Sequence, residues 1–217
     1  MSFSSKIRTP FRYEMWNVTL WLIIINIIVY FLSVLQPALF SYFSLNVINV
    51  IYKHAYWQFF TYMFTHGNFQ HVFFNMLGLF FFGFSVEKAI GSKEFLLFYL
   101  LSGIFCGLVS FAAYYLSALS GNIMAYYYSL LGASGAIYAV LLAYAVIFPR
   151  NMIYIFGILP LPAPILVIVY AVIDFGGQFI GSSNVAHVAH LSGFVFAWFY
   201  FIVRMGINPW KVWKQNY

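Results

Sequence analysis

Residues 95–149 read FLLFYLLSGIFCGLVSFAAYYLSALSGNIMAYYYSLLGASGAIYAVLLAYAVIFP, without a single Lys, Arg, Asp or Glu. A membrane-spanning helix takes about 20 apolar residues. The stretch therefore holds two, near Phe95–Leu119 and Ala133–Phe148, parted by Ser120-Gly121-Asn122. Working outward, further charge-free runs cover Met15–Tyr52, His54–Val86, Asn151–Ile173 and Phe175–Val203. They supply spans near Trp16–Leu35, closed by Gln36-Pro37, near His71–Phe84, and near Pro164–Ile180 and Val185–Val203, the last two divided by Gly181-Ser182-Ser183-Asn184. Six spans are predicted. Composition agrees, for the 217 residues are 64% hydrophobic, 24% aromatic and 6% charged. A soluble domain carries roughly a quarter charged residues, so an ordinary cytosolic enzyme is excluded, as is a polar, aromatic-poor disordered chain. The one cysteine, Cys106, has no partner for an internal disulfide.

The few charges set the orientation. With the N-terminus cytoplasmic, the inner segments carry Lys6, Arg8, Arg12, Lys88, Lys93, Arg150, Arg204, Lys211 and Lys214, nine of the ten basic residues. Only Lys53 falls outside, so the positive-inside rule predicts both termini inside. The net charge of +6 reads as topology and contact with anionic headgroups, with no nucleic-acid partner. The expected layout is a cytoplasmic tail over 1–15, a six-helix domain over 16–203 and a cytoplasmic tail over 204–217. The start lacks the short apolar run and small-residue site of a cleavable signal peptide. The first loop, about residues 36–70, is aromatic and almost uncharged, and is expected to lie in the membrane interface.

Polar residues inside a membrane are expensive and default to functional candidates. Spans two, four and six run from outside to inside, so His71 and Asn75, Ser134, and His187 and His190 share one depth under the outer face. Each has a bland reading. Gly132-Ala133-Ser134-Gly135-Ala136 suits close helix packing, His71 and Asn75 suit interhelical hydrogen bonding, and His190 suits a satisfied core histidine. Together they point to acyl transfer: a serine and a histidine as nucleophile and base, with Asn and His donors for an oxyanion. Asp174 is the one acid within a span. The order Ser134, Asp174, His190 matches that of α/β-hydrolases, but position 136 is Ala where their elbow needs Gly. Asp174 is thus read as a structural polar residue, and the working arrangement is a Ser–His dyad whose imidazole another group orients. Tyr138, one turn beyond Ser134, is a candidate to stack on His190, or else one more packed aromatic. The lone Cys and scattered His form no metal-ligand set.

These residues carry a resemblance. Trp57-Gln58-Phe59-Phe60-Thr61, His66-Gly67-Asn68 and His71-Val72-Phe73-Phe74-Asn75, then Gly132-Ala133-Ser134-Gly135 and Ala189-His190-Leu191-Ser192-Gly193, resemble in order and spacing the rhomboid family of intramembrane serine proteases. The resemblance implies Ser134 as nucleophile and His190 as general base and acid. It implies an oxyanion held by Asn75, His71 and the Ser134 backbone N–H, with Gly132 giving close backbone access. It further implies Tyr138 packed on His190, His66 and Glu87 in structural hydrogen bonds, and Gly193, with Ala197, where the sixth helix approaches the fourth. The Trp-Arg pair of many members is Trp57-Gln58 here, which puts the bond made by that Arg in doubt. His187 is an additional histidine one turn before His190.

The resemblance implies an all-α, six-helix, minimal bacterial-type protease in the bacterial inner membrane, its site opening to the extracytoplasmic side. Its partners would be single-pass membrane proteins and the lipid bilayer, with no cofactor. Substrate would enter between spans two and five, with Phe74 at the gate. Two rivals stand beside it. A catalytically silent rhomboid-like chaperone would hold client helices in the same bundle, and a small carrier would show inverted repeats, of which the sequence has none.

Overall fold

The computed structural model describes residues 10–155, 157–180 and 184–216, most of them helical. Lys6, Arg8 and the dividing Gly181-Ser182-Ser183 lie outside the described residues. The first helix, α1 (Val18–Leu35), is followed by three short ones, α2 (Pro37–Phe43), α3 (Val47–Lys53) and α4 (Gln58–Thr61). Then come α5 (Phe69–Ile90, with a π-helical turn at Leu79–Gly83) and α6 (Ser92–Leu119). α7 (Ser134–Ile147), α8 (Ala163–Ile180), α9 (Asn184–Val203) and α10 (Pro209–Asn216) complete the described helices. α1, α5 and α6 are long and apolar enough to cross a membrane, and Ser134–Ile147, Ala163–Gly177 and His187–Val203, within α7, α8 and α9, are shorter apolar stretches.

α7 is the axis of the bundle. It carries no charge and is apolar on every face, the pattern of a helix with no outward side. Ala136, Ala139, Val140, Ala143 and Ala145 are at most 1% exposed. It packs against α5, α6, α8, α9 and α10. At 14 residues it is only about 21 Å long at 1.5 Å per residue. That is less than the roughly 30 Å hydrocarbon core of a bilayer. The outward faces of the peripheral helices are greasy instead: Trp21, Ile28, Phe31, Phe80, Phe81, Leu116, Val172 and Phe199 are all exposed, as suits a lipid environment.

At the end of the bundle away from Ser134, three glutamates fasten the elements together. Glu87, fully buried, accepts the Val18 and Thr19 backbone N–H groups at 2.6 and 2.8 Å and the Ser92 hydroxyl. Two orphan donors at the start of α1 are thereby satisfied. Glu94 accepts both Arg204 Nε and Nη2 at 2.9 Å, the Phe11 N–H and the Tyr200 hydroxyl. Glu14 pairs with Lys93 at 2.7 Å. This accounts for the second span running longer than its charge-free stretch. Glu87 is a satisfied buried group rather than a solvent boundary, and α5 continues to Ile90, where Gly91 at φ +84 turns the chain into α6.

Two features depart from the all-α expectation. Met152–Ile155 and Leu159–Pro162 form an antiparallel hairpin, β3–β4, after the pair β1 (Leu45–Asn46) and β2 (Ser129–Leu130). Pro160 and Pro162 lack the N–H groups that a helix there would need. Within the segment expected as a tail, α10 folds back on the bundle: the Trp213 indole is 8% exposed and donates to Ala145 O at 3.0 Å.

The first loop is a structured cap. Gln58, 1% exposed, accepts the Asn46 N–H and donates to Ser41 and Tyr42 carbonyls. Asn46 caps α3 and reaches Tyr128 O across the β1–β2 pair. Trp57 donates to Tyr42 O and stacks on the Tyr42 ring. An amide thus makes carbonyl bonds that the Trp57-Gln58 departure had put in doubt.

Candidate active site

Ser134 is the first residue of α7, where backbone N–H groups have no partner within the helix and the helix dipole favours negative charge. The chain reaches it through Gly132, whose φ of +107 lies in the region open to glycine. A Cβ at Gly132 would stand 2.6 Å from His71 Nε2. The Gly132 N–H donates to Tyr62 O at 3.0 Å, fixing the turn to the loop-one cap. Two separate constraints, dihedral and space, thus require glycine two residues before the serine.

His190 comes to Ser134 because α7 and α9 nearly touch. A Cβ on Gly193 would overlap Gly135 O, and Ala197, one turn further, is fully buried in the same seam. Gly135 is the partner of Gly193, a pairing visible in neither motif alone. The Ser134 hydroxyl lies 2.8 Å from His190 Nε2. Tyr138 stacks on the imidazole with ring centroids 4.0 Å apart and planes at 13°.

His71 and Asn75 stand on the first turns of α5, opposite Ser134. Asn68 caps that helix by accepting the His71 N–H at 2.8 Å. Asn75, 7% exposed, donates to His71 O at 2.8 Å, and among the described residues its carbonyl oxygen has no partner. His71, Asn75, Gly132, Ser134 and His190 line one cavity of about 410 Å³, roofed by Ser129, Leu130 and Leu131. A second, of about 430 Å³, opens between α5 and α8. Phe74, Leu77, Phe81 and Tyr170 line it, and it shares Asn75 and Ser134 with the first. Both cavities therefore reach the serine.

His66 departs from expectation. Among the described residues neither ring nitrogen has a hydrogen-bond partner; the ring, 2% exposed, packs edge-on against His71 at 5.0 Å. Burial, with the neighbouring His71 adding to it, pushes His66 down to about 3. Its role is packing behind His71, unlike Glu87, which makes the expected bonds.

Asp174, read as a structural polar residue, has two histidine neighbours on α9: Oδ1 lies 2.7 Å from His187 Nδ1 and 3.1 Å from His190 Nδ1. The signal was present, since His187 and His190 are three apart on α9 and share a face.

An apolar helical bundle with a serine–histidine contact at the first residue of its central helix defines a helical membrane protein with polar side chains gathered between its helices. Comparison with known sequences names the class more closely. The model of the Rhomboid domain matches residues 53–206, and the chain belongs to the rhomboid family. It is 33% identical over 138 residues to RHOMBOID-like protein 12, mitochondrial, of Arabidopsis thaliana, covering 60% of this chain and 41% of that one. It is 31% identical over 120 residues to Rhomboid protease AarA of Providencia stuartii, covering 52% of this chain and 42% of that one. The chain thus spans less than half the length of either relative. Family and apolar helices together make it an integral membrane protein.

Proposed function

We propose that this protein is an intramembrane serine endopeptidase of six spans. In this reading both termini are cytoplasmic, and the site cleaves single-pass membrane proteins near the extracytoplasmic face of a bacterial inner membrane. The observation that carries it is the Ser134 hydroxyl at 2.8 Å from His190 Nε2, where two cavities meet, one of them open laterally between α5 and α8. The bacterial relative is a rhomboid protease, which supports the same chemistry. The distribution of basic residues supports the orientation.

In this reading a substrate helix approaches between α5 and α8 past Phe74, which is 58% exposed at the groove. It unwinds locally and offers a carbonyl carbon to Ser134 Oγ. His190 Nε2 takes the hydroxyl proton as the bond to carbon forms, then gives it to the departing amine. Negative charge developing on the carbonyl oxygen meets the Ser134 N–H and the side chains of Asn75 and His71. Preorganised donors of this kind contribute about 3–4 kcal/mol each in serine hydrolases. Water entering through the cavity that holds His71, Asn75 and His190 hydrolyses the acyl-enzyme, with His190 again as base. Tyr138 keeps the imidazole plane aligned, and Gly193 keeps the two helices close enough for the contact.

The second reading, a silent client-holding protein, keeps the bundle and groove but has no use for the serine–histidine contact. A fluorophosphonate probe separates the two in native membranes. Labelling of wild type that disappears in both Ser134→Ala and His190→Ala is expected. Absence of labelling in the folded wild-type protein favours the silent form.

A further inference from the structure

Asp174 is the one acid of this chain that shares no element with the glutamate fastenings at the far end of the bundle. It is 4% exposed, and its hydrogen-bond partners are both histidines. α8 is shaped to receive them: one turn after Asp174, a Cβ on Gly177 would stand 2.6 Å from the His187 ring. From α7, the Tyr138 phenol is the third group in electrostatic reach of the carboxylate. Tyr138, His187 and His190 are thus the titratable groups that face it.

We propose that Asp174 is a positioning residue for His190, making the site a Ser134–His190–Asp174 array in which His187 is a second donor to the same carboxylate oxygen. The proposal rests on the protease reading. For Nε2 to accept the serine proton, the ring's own proton must sit on Nδ1, and that nitrogen faces Asp174 Oδ1 at 3.1 Å. When Ser134 attacks, its proton moves to Nε2 and the ring becomes an imidazolium between Tyr138 and a carboxylate. No proton passes to Asp174. The anion holds the tautomer and stabilises the charge that forms, which lowers the barrier without altering substrate binding. His187, at 2.7 Å, donates its own N–H and keeps the buried carboxylate hydrogen-bonded when the active-site ring moves. Because Asp174 is on α8 and the histidines are on α9, the array also spans the helix that borders the lateral groove.

The test has two arms. Nitrogen NMR of the wild-type protein with ring-labelled histidine, the His190 signals assigned by their loss in His190→Gln, reads the tautomer directly. Neutral His190 with its proton on Nδ1 is expected, and a proton on Nε2 overturns the proposal whatever the variants do. In proteoliposomes with a single-pass substrate, Asp174→Asn is expected to lower kcat at least tenfold with KM within twofold, and Asp174→Glu to recover part of it. In serine proteases with such an array, the corresponding amide substitution lowers kcat by about 10⁴. Wild-type kcat in Asp174→Asn, beside inactive Ser134→Ala, overturns the role of Asp174 alone. Cleavage retained in Ser134→Ala overturns the protease reading itself.

Discussion

Gly132 concentrates two demands on one residue: a backbone at φ +107 and an imidazole where a side chain would begin. Gly132→Ala is expected to displace His71 and the Ser134 turn. Hydrolysis should fall at least tenfold while the bundle still folds, as read by cleavage rate beside thermal unfolding in detergent. His66 carries a different consequence. Its pKa, about 3 in the folded protein against 6.5 unfolded, means that the unfolded chain binds the extra proton between those values. Stability therefore rises with pH across that window and is lost as pH falls below 6.5, by about 1.4 kcal/mol per unit. Between pH 7 and 4.5 the His66 contribution should cost on the order of 2–3 kcal/mol. The wild-type unfolding temperature should drop accordingly, and that of His66→Leu should drop less. Equal acid sensitivity in the two would remove His66 as the cause.

Elements meet where small residues let them. Gly193→Val would force α9 away from the Gly135 carbonyl. Overpacking of this kind costs about 1–3 kcal/mol, and here it also parts Ser134 from His190. Loss of fluorophosphonate labelling together with a lowered unfolding temperature is expected, whereas Val195→Ala, at a position 47% exposed, should leave both nearly unchanged. Much at this scale was legible in the sequence. The cores of the apolar helices follow from charge-free runs, and the close backbone approach at Gly132 and the small-residue seam at Gly193 are written in single residues. What was not legible is what depends on partners distant in the chain. The partners that Glu87 bonds, Val18 and Thr19, lie far from it in the chain. Gln58 reads as the loss of an arginine until three backbone groups surround it. The neighbours of Asp174, read as a structural polar residue, lie across a turn on α9. The β3–β4 hairpin was missed because its short strands sit among equally apolar helices, where periodicity has no contrast.

At the scale of the whole molecule, the proposed orientation puts the loop-one cap outside and the β3–β4 hairpin inside. The native thiol is buried, so an impermeant maleimide should meet no background from Cys106. Tyr52→Cys, 73% exposed in the cap, should label in intact cells, and Ile158→Cys, 84% exposed at the hairpin, only after lysis. The reverse pattern would invert the topology and place the site on the cytoplasmic face. The architecture joins these scales. A short central helix presents its first residue to two cavities, one over its N-terminal end and one reaching it from the side. In the proposed function, such an arrangement brings a membrane-embedded peptide and water to one serine. The most direct measurement is cleavage of a single-pass substrate in proteoliposomes containing only the purified protein. The account predicts a defined product pair from the wild type and none from Ser134→Ala. Equal cleavage by the two, or none by a folded wild type across a panel of such substrates, would contradict it.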